Sequence, residues 1–144
     1  MKTLKESILS RSSHSGEGFK AQRRKLIESW LNKYDIRNYT INDDFTVDVN
    51  GEVDLYRKNL TEFPDYIQFG VVKGGFDCRN NTLTSLKGAP KKVGGVFDCS
   101  YNKLTSLEGV PKEVEGNFHC YNNKIRFTIG DVRKICNVKG MIFS

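Results

Sequence analysis

The sequence predicts a small right-handed α/β solenoid: about four stacked coils with a parallel strand ladder, an N-terminal helical cap and an irregular C-terminal cap. Three observations predict it. The segment FDCRNNTLTSLKGAPKKVGGV (76–96) is followed without a gap by FDCSYNKLTSLEGVPKEVEGN (97–117), and 13 of the 21 positions are identical. A third copy begins FHCYNNKI at Phe118, and an earlier one, GEVDLYRKNLTEF (51–63), is displaced by 23 residues. The positions that repeat are largely apolar, as they must be if no single unit can close a core and each is buried against the next.

The columns assign the parts of each coil. Val53, Phe76, Phe97 and Phe118 share one column, and Leu55, Cys78, Cys99 and Cys120 the next inward one. Residues two apart point to the same side of an extended chain, so each pair marks one short strand. Leu60, Leu83, Leu104 and Ile125 form a third apolar column, Leu86 and Leu107 a fourth, and Val93 and Val114 a fifth. They are expected on a return path between strands. Gly74, Gly95 and Gly116 stand just before the strand, while Gly88 and Gly109 precede Pro90 and Pro111. These residues turn the chain, glycine by a positive φ or a close backbone approach, proline by its fixed φ. Asn81, Asn102 and Asn123 follow the strand, where an inward amide can satisfy backbone groups left unpaired by the turn.

Ahead of the repeats, residues 1–18 are rich in Ser, Lys and Glu and are expected to form a flexible arm. Residues 19–50 then read as a helix-and-strand cap. Phe19, Leu26, Ile27, Trp30, Leu31 and Tyr34 share a face at helical spacing. Phe45, Val47 and Val49 alternate before the turn signal Asn50-Gly51, which points to a hairpin or an edge strand joining the first coil. The solenoid proper spans 51–125. From 126 to 144 the sequence RFTIGDVRKICNVKGMIFS abandons the repeat, as a cap over exposed apolar columns would.

Composition narrows the function. The 144 residues carry 23 Lys and Arg against 17 acids, a net charge of +6. Nine bases and four acids in residues 1–40 account for +5 of that, so the charge belongs to the arm and helix, not to the solenoid. No apolar run approaches the ~20 residues of a membrane span, and no secretory apolar core is visible at the start. Only His14 and His119 supply imidazole, and no motif sets a nucleophile, base and oxyanion donors together. An enzyme is not expected. Cys78, Cys99 and Cys120 lie 21 residues apart, a one-sided ladder unlike the close pairs of a zinc site. With Cys136 they read as buried thiols in a reducing cytosol, with no metal and no cofactor.

The pattern F-x-C-x-x-N-x-L resembles the L-x-L-x-x-N-x-L segment of leucine-rich repeats. More narrowly, FDCSYNKLTSLEGVPKEVEG resembles the repeat of small leucine-rich-repeat proteins encoded by tailed bacteriophages, over roughly residues 20–125. Lys58 departs from the asparagine column, as suits a less regular first coil. The resemblance implies a binding protein in the host bacterial cytosol. Its partner would be a bacterial host protein, and inhibition of a defence or regulatory protein the natural role.

The residues that point away from the core on the strand face are the candidate partner site: Asp54, Tyr56, Arg57, Asp77, Arg79, Asp98, Tyr101, His119 and Tyr121. This face is expected to be the concave side of the stack. Tyrosine and arginine among acids is a composition suited to protein recognition. Stacked aspartates repel one another, so the partner is expected to present Lys or Arg. Reversing the charge of Asp77 and Asp98 together should then abolish binding without unfolding the chain. The alternative is nucleic-acid binding through Arg23, Arg24 and Lys25 and the loop residues Lys87, Lys91, Lys92 and Lys112, which salt would weaken steeply. A third reading, self-assembly through the solenoid ends, is also open.

Overall fold

The computed structural model describes residues 16–144; the arm expected over 1–18 lies outside the described residues up to position 15. Helix α1 (Gly16–Lys33) opens the described chain, so Gly16–Gly18 are already helical. A hairpin follows, β1 (Tyr39–Ile41) antiparallel to β2 (Val47–Val49). The remaining strands are short: β3 (Val53–Asp54), β4 (Phe69–Val72), β5 (Phe76–Asp77), β6 (Lys92–Val93), β7 (Phe97–Asp98), β8 (Glu113–Val114) and β9 (Phe118–His119). Helix α2 (Ile129–Arg133), β10 (Asn137–Val138) and β11 (Ile142–Phe143) complete the chain.

These strands form a parallel β-solenoid of about five turns with a helical N-terminal cap. Sheet one runs β1-β2-β4-β6-β8-β10 and sheet two β3-β5-β7-β9-β11. Each coil therefore has two strands where the repeat announces one. The second is the Val72, Val93, Val114 column, whose members sit opposite one another in sheet one. The C-terminal segment also differs from expectation. It closes the stack with a fifth coil, Ile142 taking the place opposite Phe118 and Asn137 the place opposite Glu113. Ile125, expected in the third apolar column, is 47 % exposed, because the chain there leaves the repeat path and buries Phe127 instead.

The core is a stack of the repeat columns. The Phe76 and Phe97 rings lie 5.9 Å apart at 13°, and Phe97 and Phe118 5.2 Å apart. All three are fully buried, and each contributes roughly 1.5–3 kcal/mol relative to exposure. At the N-terminal end Trp30 of α1 meets Phe63 and Phe69, each at 6.2 Å. Ile27 and Leu31 are buried beside it, the i, i+4 spacing of one helix face. Phe19 and Leu26, counted on that face, are only half-buried. The hairpin turn is Asn42–Thr46, with Phe45 in the left-handed region at φ 67°. Asn50-Gly51 instead forms the corner between β2 and β3.

Two ladders hold the coils in register. At the corner before sheet two, Gly74 N donates to Gly51 O, Gly95 N to Gly74 O, Gly116 N to Gly95 O and Gly140 N to Gly116 O, at 2.9–3.1 Å. A Cβ on Gly95 would lie 2.8 Å from Gly75 N, so these positions require glycine for close approach. After sheet two comes the asparagine ladder. The Asn81 Oδ1 accepts from the backbone N–H of Lys58 and Leu60, and its Nδ2 donates to Leu55 O and Cys78 O. Asn102 repeats this one coil on, accepting from Leu83 N and donating to Cys78 O and Cys99 O. Asn123 accepts from Leu104 N.

Sheet one also has a stopper. Val72 O accepts from Gly94 N, Val93 O from Glu115 N and Val114 O from Lys139 N. For Val138 there is no further coil, and Arg133 Nη1 of α2 reaches its carbonyl at 3.4 Å. No helix among the described residues is long and apolar enough to cross a membrane.

Candidate functional site: the outer face of sheet two

The inward residues of sheet two are the phenylalanines, so the residues on either side of them face outward. In register the following column runs Asp54, Asp77, Asp98, His119, Phe143. It borders a depression of about 390 Å³ lined by Glu52, Asp54, Asp77, Arg79, Asp98 and His119 among others. Gly75 lines it between Glu52 and Val96, and a Cβ there would lie 3.2 Å from Val96 O.

Each aspartate of the column folds its carboxylate back on its own turn. Asp54 Oδ1 accepts from Tyr56 N at 3.0 Å, Asp77 Oδ1 from Arg79 N at 3.1 Å and Asp98 Oδ1 from Ser100 N at 3.0 Å. Burial raises the pKa of Asp77 above its ordinary value, and the neighbouring Asp98 and Asp54 add to this; the Arg79 N–H and guanidinium pull it back. The Arg79 Nε lies 3.1 Å from Asp77 Oδ2. Asp98 differs from the sequence reading, since it is buried at 7 % exposure and its Oδ1 also accepts from Ser100 Oγ. Set between Asp77 and His119, it is a structural carboxylate, and reversing its charge would break the turn.

The candidate residues separate into two groups. At the N-terminal end the Arg79 guanidinium lies over the Tyr56 ring, 4.7 Å from its centroid, with Arg57 at 5.9 Å. At the C-terminal end Tyr101 and Tyr121 meet edge to face at 5.6 Å, and His119 stands 5.9 Å from Tyr121. His119 stacks on Phe143 at 4.6 Å and 20°. Its Nδ1 is buried without a hydrogen-bond partner. Tyr56 and Tyr101 are exposed. Phe143 and Met141, 37 % and 64 % exposed, extend this face and were missed because the fifth coil carries no legible repeat. Arg57, Asn80, Tyr101 and Asn122 hold one column in the left-handed region, at φ 52–56°.

Compared with known protein families, with curated proteins and with solved structures, the chain matches none. The function must be read from the side chains alone.

The basic residues of α1 are largely occupied. Arg24 donates to Ile41 O and Asn42 O, and Arg23 lies over the Phe45 ring at 4.3 Å. Both pin the helix to the hairpin; Lys25 is exposed. Lys87, Lys91 and Lys112 do converge, on a depression of about 330 Å³ that Glu108 also lines. Lys92 instead pairs with Glu113 at 3.5 Å.

All four cysteines are free and buried. Burial drives the Cys78 and Cys99 thiols well above their ordinary pKa, and those of Cys120 and Cys136 up to about 11. The Cys78 Sγ donates to Asp98 O and the Cys99 Sγ to His119 O, both at 3.4 Å. These are packing groups tied to the ladder. What the face presents to solvent is carboxylate, guanidinium, imidazole and phenol, a chemistry of ion pairing and stacking.

Proposed function

We propose that the chain is a non-enzymatic protein-binding module whose partner docks on the outer face of sheet two. The observation that carries this is the pairing of a cation-capped tyrosine, Arg79 over Tyr56, with an aromatic cluster in which Tyr101 and Phe143 are exposed and Tyr121 and His119 half-buried, along sheet two and the turns that follow its strands. Aromatic and arginine side chains held in place carry much binding energy at little entropic cost. The sequence's resemblance to the repeat of phage leucine-rich-repeat proteins supports reading this module as a phage accessory protein acting in the host bacterial cytosol. There it binds and inhibits a host defence or regulatory protein.

A pull-down from bacterial lysate tests the reading. One protein recovered by the wild type and lost with Tyr56, Tyr101 and Tyr121 replaced by alanine supports it; equal recovery overturns the site. The second reading, nucleic-acid binding, draws on the convergence of Lys87, Lys91 and Lys112. A steep loss of capture between low and moderate salt marks that reading, and salt tolerance marks the protein interface.

A further inference from the structure

The two sheets are unequal at the N-terminal end. Sheet one has six strands and sheet two five, because β1 has no counterpart beside β3. The position such a strand would occupy is a depression of about 600 Å³, bounded by Tyr34–Asn38 on one side and by Gly51, Glu52, Asp54 and Lys58 on the other. Glu52 and Asp54 also line the depression on the sheet face, so the two adjoin at these side chains.

The backbone of β3 is prepared for another strand. Val53 N donates to Gly75 O, Phe76 N to Val96 O, Phe97 N to Asn117 O and Phe118 N to Met141 O. Leu55 N donates to Asp77 O in the same manner, and Cys78 N to Asp98 O. In every coil, then, the residue before the phenylalanine position and the one after it turn their carbonyls toward the preceding coil. For β3 these are Glu52 O and Asp54 O, and no coil precedes it. An unpaired strand edge of this kind is a template for strand addition.

The side chains specify what is added. Glu52 and Asp54 stand at the edge, Asp35 across from them is held by Arg37 at 2.9 Å, and Asp77 lies one strand further in. Asp77 has Arg79 as a partner, whereas Glu52 and Asp54 have no cation among the described ion pairs. We infer that the β3 edge is a strand-addition site for an extended segment of a partner protein that carries lysine or arginine at alternate positions. Its backbone N–H groups donate to Glu52 O and Asp54 O, and its cationic side chains lie over Glu52, Asp54 and Asp77. This rests on the proposed reading of sheet two as a protein-binding face and names the partner's chemistry.

The test is a nuclear magnetic resonance titration of the full chain with the acetylated decapeptide (Lys-Thr)₅. Two further peptides serve as arms: (Glu-Thr)₅, and (Lys-Thr)₅ N-methylated at alternate residues, which keeps its charge and loses its donors. The expected result is amide shifts centred on Glu52–Tyr56 with the lysine peptide and none with the glutamate peptide. N-methylation should weaken binding about tenfold, the loss of one or two backbone hydrogen bonds. Glu52→Gln with Asp54→Asn should weaken it too, with the solenoid's other amide positions unchanged. Equal binding of the N-methylated peptide, shifts confined to Asp77 and Asp98, or no shifts at millimolar peptide would each overturn the inference. If the tyrosine variant still loses its lysate partner in that case, the broader face reading stands and only the strand-addition site is withdrawn.

Discussion

The side-chain amides of Asn81 and Asn102 both donate to one acceptor, the carbonyl oxygen of Cys78, each at 3.0 Å. Successive coils are thus joined at a shared atom. Replacing Asn102 with alanine orphans Leu83 N in a buried site, while the carbonyls of Cys78, Cys99 and Ser100 each lose one donor and keep Asn81 Nδ2, Asn123 Nδ2 and Asn80 N. The expected loss is about 1–3 kcal/mol, the cost of one orphaned buried donor. Urea denaturation checks it. Asn123→Ala, at a half-buried position, should cost less.

Asp77 gives a pH dependence of opposite sign to an ordinary salt-bridged carboxylate. Burial raises its folded pKa, so the folded state binds its proton more readily than the unfolded chain. The ionised form therefore destabilises the fold at neutral pH, and the penalty fades as pH falls through the raised value toward 3.8. Asp77→Asn should raise the Tm at pH 7 and leave it nearly unchanged near pH 4. A gain of equal size at both values would contradict the assignment.

Tyr101 lies in the left-handed region at φ 54°, in a column where its neighbours one coil away are Asn80 and Asn122. Asparagine tolerates that conformation and tyrosine resists it. Tyr101→Asn should stabilise the fold by about 1 kcal/mol before any lost packing against Tyr121, while weakening capture of the partner. Calorimetry and pull-down together read the two effects in opposite directions.

Charge reversal on the face must avoid the buried member of the aspartate column. Asp54→Lys with Asp77→Lys should abolish binding of a basic partner with a native circular-dichroism spectrum. Asp98→Lys should unfold or strongly destabilise the chain, because its carboxylate closes the Ser100 turn at 7 % exposure.

The thiols should be silent. Ellman's reagent at pH 8 is expected to titrate none of the four cysteines quickly in the native protein and all four in denaturant. Burial holds them protonated and out of reach. Rapid release of one equivalent would place that cysteine at the surface.

The repeat columns made sheet two, the phenylalanine stack and the asparagine ladder legible before any coordinates, because those positions recur with little change. Beyond the hairpin strand Val47–Val49, sheet one was not legible as strand. Three of its members, Lys92–Val93, Glu113–Val114 and Asn137–Val138, are only two residues long, too short for an alternation to show. The fifth coil was hidden by its contents, with Ile142 in place of phenylalanine and a helix inserted, so that 24 residues separate it from Phe118 instead of 21. Of the candidate site, residue identities gave the outward direction but not the degree of burial. That depends on neighbours across the sheet, which is why Asp98 was misjudged and Phe143 overlooked.

The glycine corner bears on how such a molecule changes size. Because Gly74, Gly95 and Gly116 bond one coil to the next in a repeating manner, a tandem duplication of 21 residues inserts a rung without altering those around it. Each such event lengthens the outer face by one strand spacing, about 4.8 Å. The reach of the surface is thereby quantised, and lineages that gain or lose a unit would fit longer or shorter partners while every remaining contact keeps its geometry.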